Sequence, residues 1–140
     1  SAGPRARGAR VIARGPLPAV SIVVPAYNEE QTIRACVEAA LAQTVPAHEI
    51  IVVDNRSTDR TAEIVAALQT ANPDAPLRLL RQFDEQGLVP TRNLGLDSAT
   101  GEVIGRIDAD SVLEPTWVAE VQQAFADPTV AAATGPVLYY

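Results

Sequence analysis

No lysine occurs in this sequence, and it holds one cysteine, one histidine and one tryptophan, with aromatic residues at only 4%. Each shortage removes a class of chemistry. Without lysine there is no Walker-type phosphate loop, no Schiff base and no kinase-type phosphate lysine. A single cysteine, Cys36, leaves no internal disulfide and no cysteine-rich zinc site. A single histidine, His48, with no Gly-x-Ser-x-Gly, leaves no obvious hydrolase triad. No Gly-x-Gly-x-x-Gly occurs, so the dinucleotide fingerprint is missing too. The apolar residues come in short runs, so no transmembrane helix is expected.

What is present is ordinary globular material. The chain has 140 residues, 47% hydrophobic and 20% charged, which suits one domain with its own core. The formal charge is −6, and every basic residue is arginine. Arg5, Arg7, Arg10 and Arg14 all precede the first acid, so the body beyond them is more acidic still. An acidic body predicts no nucleic-acid partner, because phosphate contacts need basic groups. Residues 1–18 are rich in Ala, Gly, Arg and Pro without apolar periodicity, and read as a flexible arm. That arm lacks the apolar stretch of a secretory signal. The expected location is cytoplasmic, or the cytoplasmic face of a membrane.

Beyond the arm, strands and helices alternate. Val20 to Pro25 is a β-branched apolar run, the mark of a buried strand. Asn28, with Gln31 three residues on, suits a capping box before a helix carrying Ile33, Val37, Ala40 and Leu41. Glu49 to Val53 reads as a second strand, ending at Asp54. Ser57, Thr58 and Asp59 offer caps for a helix with Ala62, Val65 and Leu68 on one face, ended by Pro73 and Pro76. Leu77 to Leu80 and Glu102 to Ile107 read as strands, with a helix between them over Gly87 to Ala99. Pro115 suits the first turn of a helix burying Val118, Val121 and Phe125. Thr129 to Thr134 reads as a fifth strand. This alternation predicts an α/β fold with a mainly parallel sheet.

In open parallel sheets ligands bind beyond the carboxyl ends of the strands, where strand order reverses. Three such ends carry acids. Asp108-Ala109-Asp110 follows the fourth strand, and two hard oxygen ligands there suit Mg²⁺ or Mn²⁺. Asp-x-Asp is common by chance, so its position after a buried strand is what strengthens it. Pro25-Ala26-Tyr27-Asn28-Glu29-Glu30 follows the first strand. A strand-to-helix turn accounts for Asn28, Glu29 and Glu30, but not for Tyr27, a flat face for a base or sugar. Asp54 ends the second strand, where it can accept hydrogen bonds from a ribose hydroxyl or a base edge. Arg92 suits either a phosphate or a surface ion pair. Cys36 reads as packing and His48 as a loop residue.

Taken in order, PAYNEE, VVDNRSTDRTAEI, TRNLG, ATGEVIGRIDAD and ATGPV resemble family 2 glycosyltransferases with the GT-A fold. The resemblance covers roughly Ala19 to Tyr140. It implies a Rossmann-like α/β/α sandwich that is incomplete here, with residues 19–140 forming its nucleotide-sugar-binding portion. It implies a nucleotide-diphosphate sugar as donor and an unidentified acceptor. Pro25, Ala26, Tyr27 and Glu29 resemble the nucleoside pocket, and Asp54 the base-contacting carboxylate. Arg92 matches the family's Ala-Arg-Asn arginine, Asp108 approaches the ribose, and Ala109 lies between Asp108 and the metal-coordinating Asp110. Asp108 and Asp110 are thus the expected ligands of Mn²⁺ or Mg²⁺. Two departures stand out. Arg56 replaces the family's usual glycine, and Thr91 replaces alanine. No catalytic base is assigned.

Two other classes compete. One is a nucleotide-binding module without turnover. The other is a phospho-accepting receiver domain, which the missing lysine disfavours. The uncharged ending VAAATGPVLYY looks like an interior segment without its cover, so apolar surface and self-association are expected near Val137 to Tyr140.

Overall fold

The computed structural model describes residues 17–82, 94–126 and 137–139. Its elements run β1 (Val20–Ala26), α1 (Ile33–Leu41), β2 (Glu49–Asp54), α2 (Thr61–Ala71), β3 (Leu77–Arg81), α3, β4 (Val103–Arg106), α4 (Trp117–Ala124) and β5 (Val137–Tyr139). Of α3, residues 94–98 are described. The strands form one five-stranded sheet in the order β3-β2-β1-β4-β5. All four pairings are parallel.

Both faces of the sheet are covered, which is why the central strands are apolar throughout rather than alternating. All seven residues of β1 and all six of β2 are buried. On one face Val20, Ile22, Val24, Ile50 and Val52 pack with Ile33, Val37 and Ala40 of α1, Val65 and Leu68 of α2, and Val118 and Val121 of α4. On the other, Val23, Ile51, Val53 and Ile104 meet Leu94 and Leu96 of α3. The backbone of α3 lies close enough that a Cβ on Gly95 would run into Val23 Cγ1. Gly105 plays the same part for α4, since the Trp117 ring occupies the space where its Cβ would stand.

The chain steps outward from β1 to β2 to β3, then returns to place β4 on the other side of β1. The strand order therefore reverses between β1 and β4, and the cleft for a ligand opens above their carboxyl ends.

The strand expected at Thr129 to Thr134 lies outside the described residues. A strand is observed at Val137–Tyr139, and it pairs with β4 through Val103–Val137, Ile104–Leu138 and Gly105–Tyr139. Two expectations need correction. Pro18, assigned to the arm, is buried, and its carbonyl accepts a hydrogen bond from Gln122 Nε2 at 3.0 Å. The other concerns the helix caps and belongs to the site.

Candidate functional site

Three polar loops meet at the carboxyl edge of β2, β1 and β4. Asp54 is the last residue of β2, level with Ala26, the last residue of β1. Arg106 ends β4 level with Val23, so the following Asp108 comes abreast of the end of β1. Parallel strands lie about 4.8 Å apart, so Asp54 and the Asp108 loop flank β1 at a separation of about 10 Å.

Asp54 is fully buried. Its Oδ2 receives Arg81 Nε at 3.0 Å and the Ser57 amide at 3.4 Å. Its Oδ1 is buried with no hydrogen-bond partner among the described residues. A buried carboxylate oxygen left without a donor is costly, by about 1–3 kcal/mol.

Tyr27 directly follows β1 and is half exposed at 47%. Pro25 and Ala26 do not offer side chains: both are buried within β1, and the Ala26 carbonyl is taken by the Asn55 amide at 2.8 Å. Ala109 is likewise buried in the core. Any role of these three at the cleft falls to their backbones.

The loops after β1 and β2 are laced to each other. The amides of Asn28, Glu29 and Glu30 donate to Ser57 Oγ (2.9 Å), Thr61 Oγ1 (2.8 Å) and Asp59 Oδ2 (3.2 Å). In return the Thr58 amide donates to Asn28 Oδ1 at 2.8 Å and the Arg60 amide to Glu30 Oε1 at 3.1 Å. This lacing diverts Asn28, Ser57 and Thr58 from capping, whereas Asp59 Oδ1 does receive the Thr61 amide at the start of α2 at 2.9 Å. Asn28 sits at φ 52 with its side chain spent on Thr58, and α1 begins instead at Ile33 with no side-chain cap bond. Nor does a side chain of the N-cap residue, Arg60, cap α2. Asp59 loses hydration by burial, which works to raise its pKa. The Thr61 hydroxyl and amide and the Glu30 amide outweigh that loss and hold it below the ordinary carboxylate value. Arg56 makes its turn at φ 57, a conformation that favours glycine.

Asp108 and Asp110 are both exposed, with the buried Ala109 between them. The segment closes a turn, with the Ser111 amide on the Asp108 carbonyl at 2.9 Å. Arg106 reaches Asp108 Oδ1 at 3.4 Å. Beneath the turn lies Cys36, whose thiol is pushed up to about 12, first by burial and then by the charges of Asp110, Glu29 and Asp108. No cluster of three or more His, Cys, Asp or Glu side chains able to hold a metal occurs among the described residues. Two exposed carboxylates fit a Mg²⁺ or Mn²⁺ ion of the kind that takes its remaining ligands from water and substrate phosphate. Arg92 lies outside the described residues.

Two buried polar residues were missed from the sequence. Gln43 is buried between α1 and the turn before α4, with Nε2 on the Glu114 carbonyl at 2.7 Å and Oε1 receiving the Val118 amide at 2.9 Å. Glu49 is buried at the opposite, amino edge of the sheet, bonded to Ser21 Oγ at 2.7 Å, the Thr100 amide at 2.6 Å and Arg78 at 3.1 Å. Burial would raise its carboxyl, but the Ser21 hydroxyl, the Thr100 amide, Arg78 and the Thr100 hydroxyl together hold it below its ordinary value. The one sequence signal for Glu49 was an acid opening an apolar strand; Gln43 carried none.

The Glycosyl transferase family 2 model matches residues 21–140. Glycosyltransferase AglE of Haloferax volcanii is 36% identical over 104 residues, covering 73% of this chain and 34% of that protein. The mannosyltransferase PcManGT of Pyrobaculum calidifontis, solved with GDP-Man and Mn²⁺, superposes with a TM-score of 0.76 at 32% identity, over 83% of this chain and 34% of that one. S. aureus TarS residues 1–349, solved with UDP-GlcNAc, gives 0.67 at 27% identity, over 79% and 31%. The chain thus spans about a third of the length of these proteins. Among the described residues no helix is long and apolar enough to cross a membrane.

Proposed function

The chain belongs to glycosyl transferase family 2, and from that premise we propose that it forms the donor-binding part of a glycosyltransferase. It holds a nucleotide-diphosphate sugar for transfer to an acceptor. The observation that carries this is the row of groups at the strand-order reversal. Asp54 Oδ1 awaits a donor at one end, Tyr27 offers a flat face in the middle, and two exposed carboxylates stand at the other end. A nucleoside with a diphosphate has the same order of chemistry: N–H donors, a flat ring, then charge.

Each residue then has a role. Asp54, its Oδ2 held by Arg81, presents Oδ1 to a base N–H. Tyr27 and the backbone of Pro25 and Ala26 line the nucleoside, with Glu29 at the edge. Asp108 meets the ribose, beside the backbone of Ala109. Asp110, with Asp108, would hold Mn²⁺ or Mg²⁺. When bound, the cation would neutralise the charge of the leaving diphosphate. Arg92 adds positive charge in a chain without lysine. The body from residue 19 to 140 is one donor-binding unit, and the acceptor site lies outside it. The acidic composition suits work in the cytoplasm, at or away from a membrane face.

Calorimetry with uridine, guanosine and thymidine diphosphates, each with and without Mn²⁺, tests the reading. One should bind in a metal-dependent way, and Asp110→Ala should lose that dependence. No binding of any of the three, or equal binding by wild type and Asp110→Ala, defeats it. A binding module without turnover is the second reading, favoured by the chain's span of a third of its relatives. Hydrolysis of a nucleotide-sugar by the purified chain would remove it.

A further inference from the structure

We propose that helix α1 is the template that sets the Asp108–Asp110 turn, with Gln43 as its principal positioning residue. This rests on the donor-site reading above and adds to it the means by which the two carboxylates are held. The segment from Ile107 to Thr116 leaves the sheet after β4 and has no strand or helix of its own. It is gripped at its near end by α1 and at its far end by the residues that directly follow α1. At the near end the Cys36 thiol donates to the Asp108 carbonyl at 3.6 Å, the same oxygen that receives the Ser111 amide. At the far end Gln43 donates to the Glu114 carbonyl at 2.7 Å and accepts from the Val118 amide at 2.9 Å. The Thr44 amide adds a bond to the Pro115 carbonyl at 2.9 Å.

Gln43 lies just beyond the end of α1 at Leu41 and is tied back to that helix through Nε2 and the Ala39 carbonyl at 3.1 Å. Its amide therefore spends both donor and acceptor on backbone, and is buried at 8% exposure. A side chain that satisfies one carbonyl before α4 and one amide within it fixes where that helix starts. That start fixes the length of loop left between β4 and α4. The carboxylates of Asp108 and Asp110 ride on this loop in solvent, Asp108 with Arg106 at 3.4 Å. The backbone that carries them is held from beneath, by α1 and the residues after it.

The test uses the full chain. Gln43→Met keeps the volume and removes all three side-chain hydrogen bonds. Cys36→Ala removes the near grip, and Cys36→Ser restores an O–H donor. Amide exchange is followed at Ser111, at Val118 and in β1 and β2. Binding of guanosine and uridine diphosphates is measured with and without Mn²⁺. In Gln43→Met, exchange at Ser111 should quicken by about tenfold or more, as for loss of a buried hydrogen bond, with β1 and β2 unchanged. The gain in diphosphate affinity that Mn²⁺ confers should shrink by a similar factor, with metal-free affinity intact. Cys36→Ala should show a smaller effect of the same kind, and Cys36→Ser should recover it. Unchanged exchange at Ser111, exchange quickened equally throughout the sheet, or an unchanged Mn²⁺ effect overturns the proposal. If the wild type binds neither diphosphate, the donor-site reading fails by itself, and exchange at Ser111 still decides whether α1 holds the turn.

Discussion

Arg81 Nε meets Asp54 Oδ2 at 3.0 Å across a register pair of β3 and β2, and leaves the other oxygen of a fully buried carboxylate unbonded among the described residues. The arginine occupies one carboxylate oxygen and the other is left unbonded. Asp54→Asn should fold but bind a nucleoside diphosphate more weakly by about tenfold or more, the worth of a hydrogen bond to a charged group. Arg81→Leu should destabilise by about 3 kcal/mol, because it strands a buried charge. Calorimetry and urea melts separate the two effects. Full affinity in Asp54→Asn would remove this residue from the site.

Arg56 at φ 57 stands where the sequence comparison expected glycine. A side chain in this conformation costs about 1–2 kcal/mol, of which glycine's greater freedom when unfolded would return part. Arg56→Gly should therefore stabilise the chain by about 0.5–1 kcal/mol, and Arg56→Ala should not. Thermal melts of both variants decide it; stabilisation by alanine as well would locate the effect in the side chain instead of the backbone.

Glu49 lies well away from the site and serves stability. Its folded pKa is lowered from 4.5 by its hydrogen bonds. The stabilisation it brings is fully present above its unfolded pKa and is lost as pH falls through the folded value. Glu49→Gln should cost about 2 kcal/mol at pH 7. The gap between wild type and variant should close below about pH 4. A gap that stays constant down to pH 3 would assign the loss to packing.

Gly105 and Trp117 share one volume at the junction of β4 and α4. Gly105→Ala should destabilise by about 1–3 kcal/mol through overpacking. Trp117→Leu should relieve the clash, so the double variant should be more stable than the sum of the two single losses predicts. Additive losses would show that the ring and the glycine do not compete for space.

Much of this was readable in the residues. The short β-branched runs of β1 and β2 can only be strands buried on both faces, and they appear at Val20–Ala26 and Glu49–Asp54. The acids at their carboxyl ends marked the site because parallel strands bring those ends to one edge. Local capping rules misled at Asn28 and Ser57. Their side chains bond across loops some thirty residues apart instead of to the nearest helix.

By itself the sequence determined the alternation of strands and helices, the location of the polar loops and the family. Those follow from local periodicity and from motifs in order. Only the tertiary structure decided which groups are spent and which are left over. Asn28, Ser57, Thr58 and Asp59 are consumed in lacing two loops together, while Asp54 keeps one oxygen in reserve. Gln43 gains its role only when α1 meets the segment before α4. A hydrogen bond between distant segments has no signature in either one, because it exists only once packing has brought donor and acceptor together.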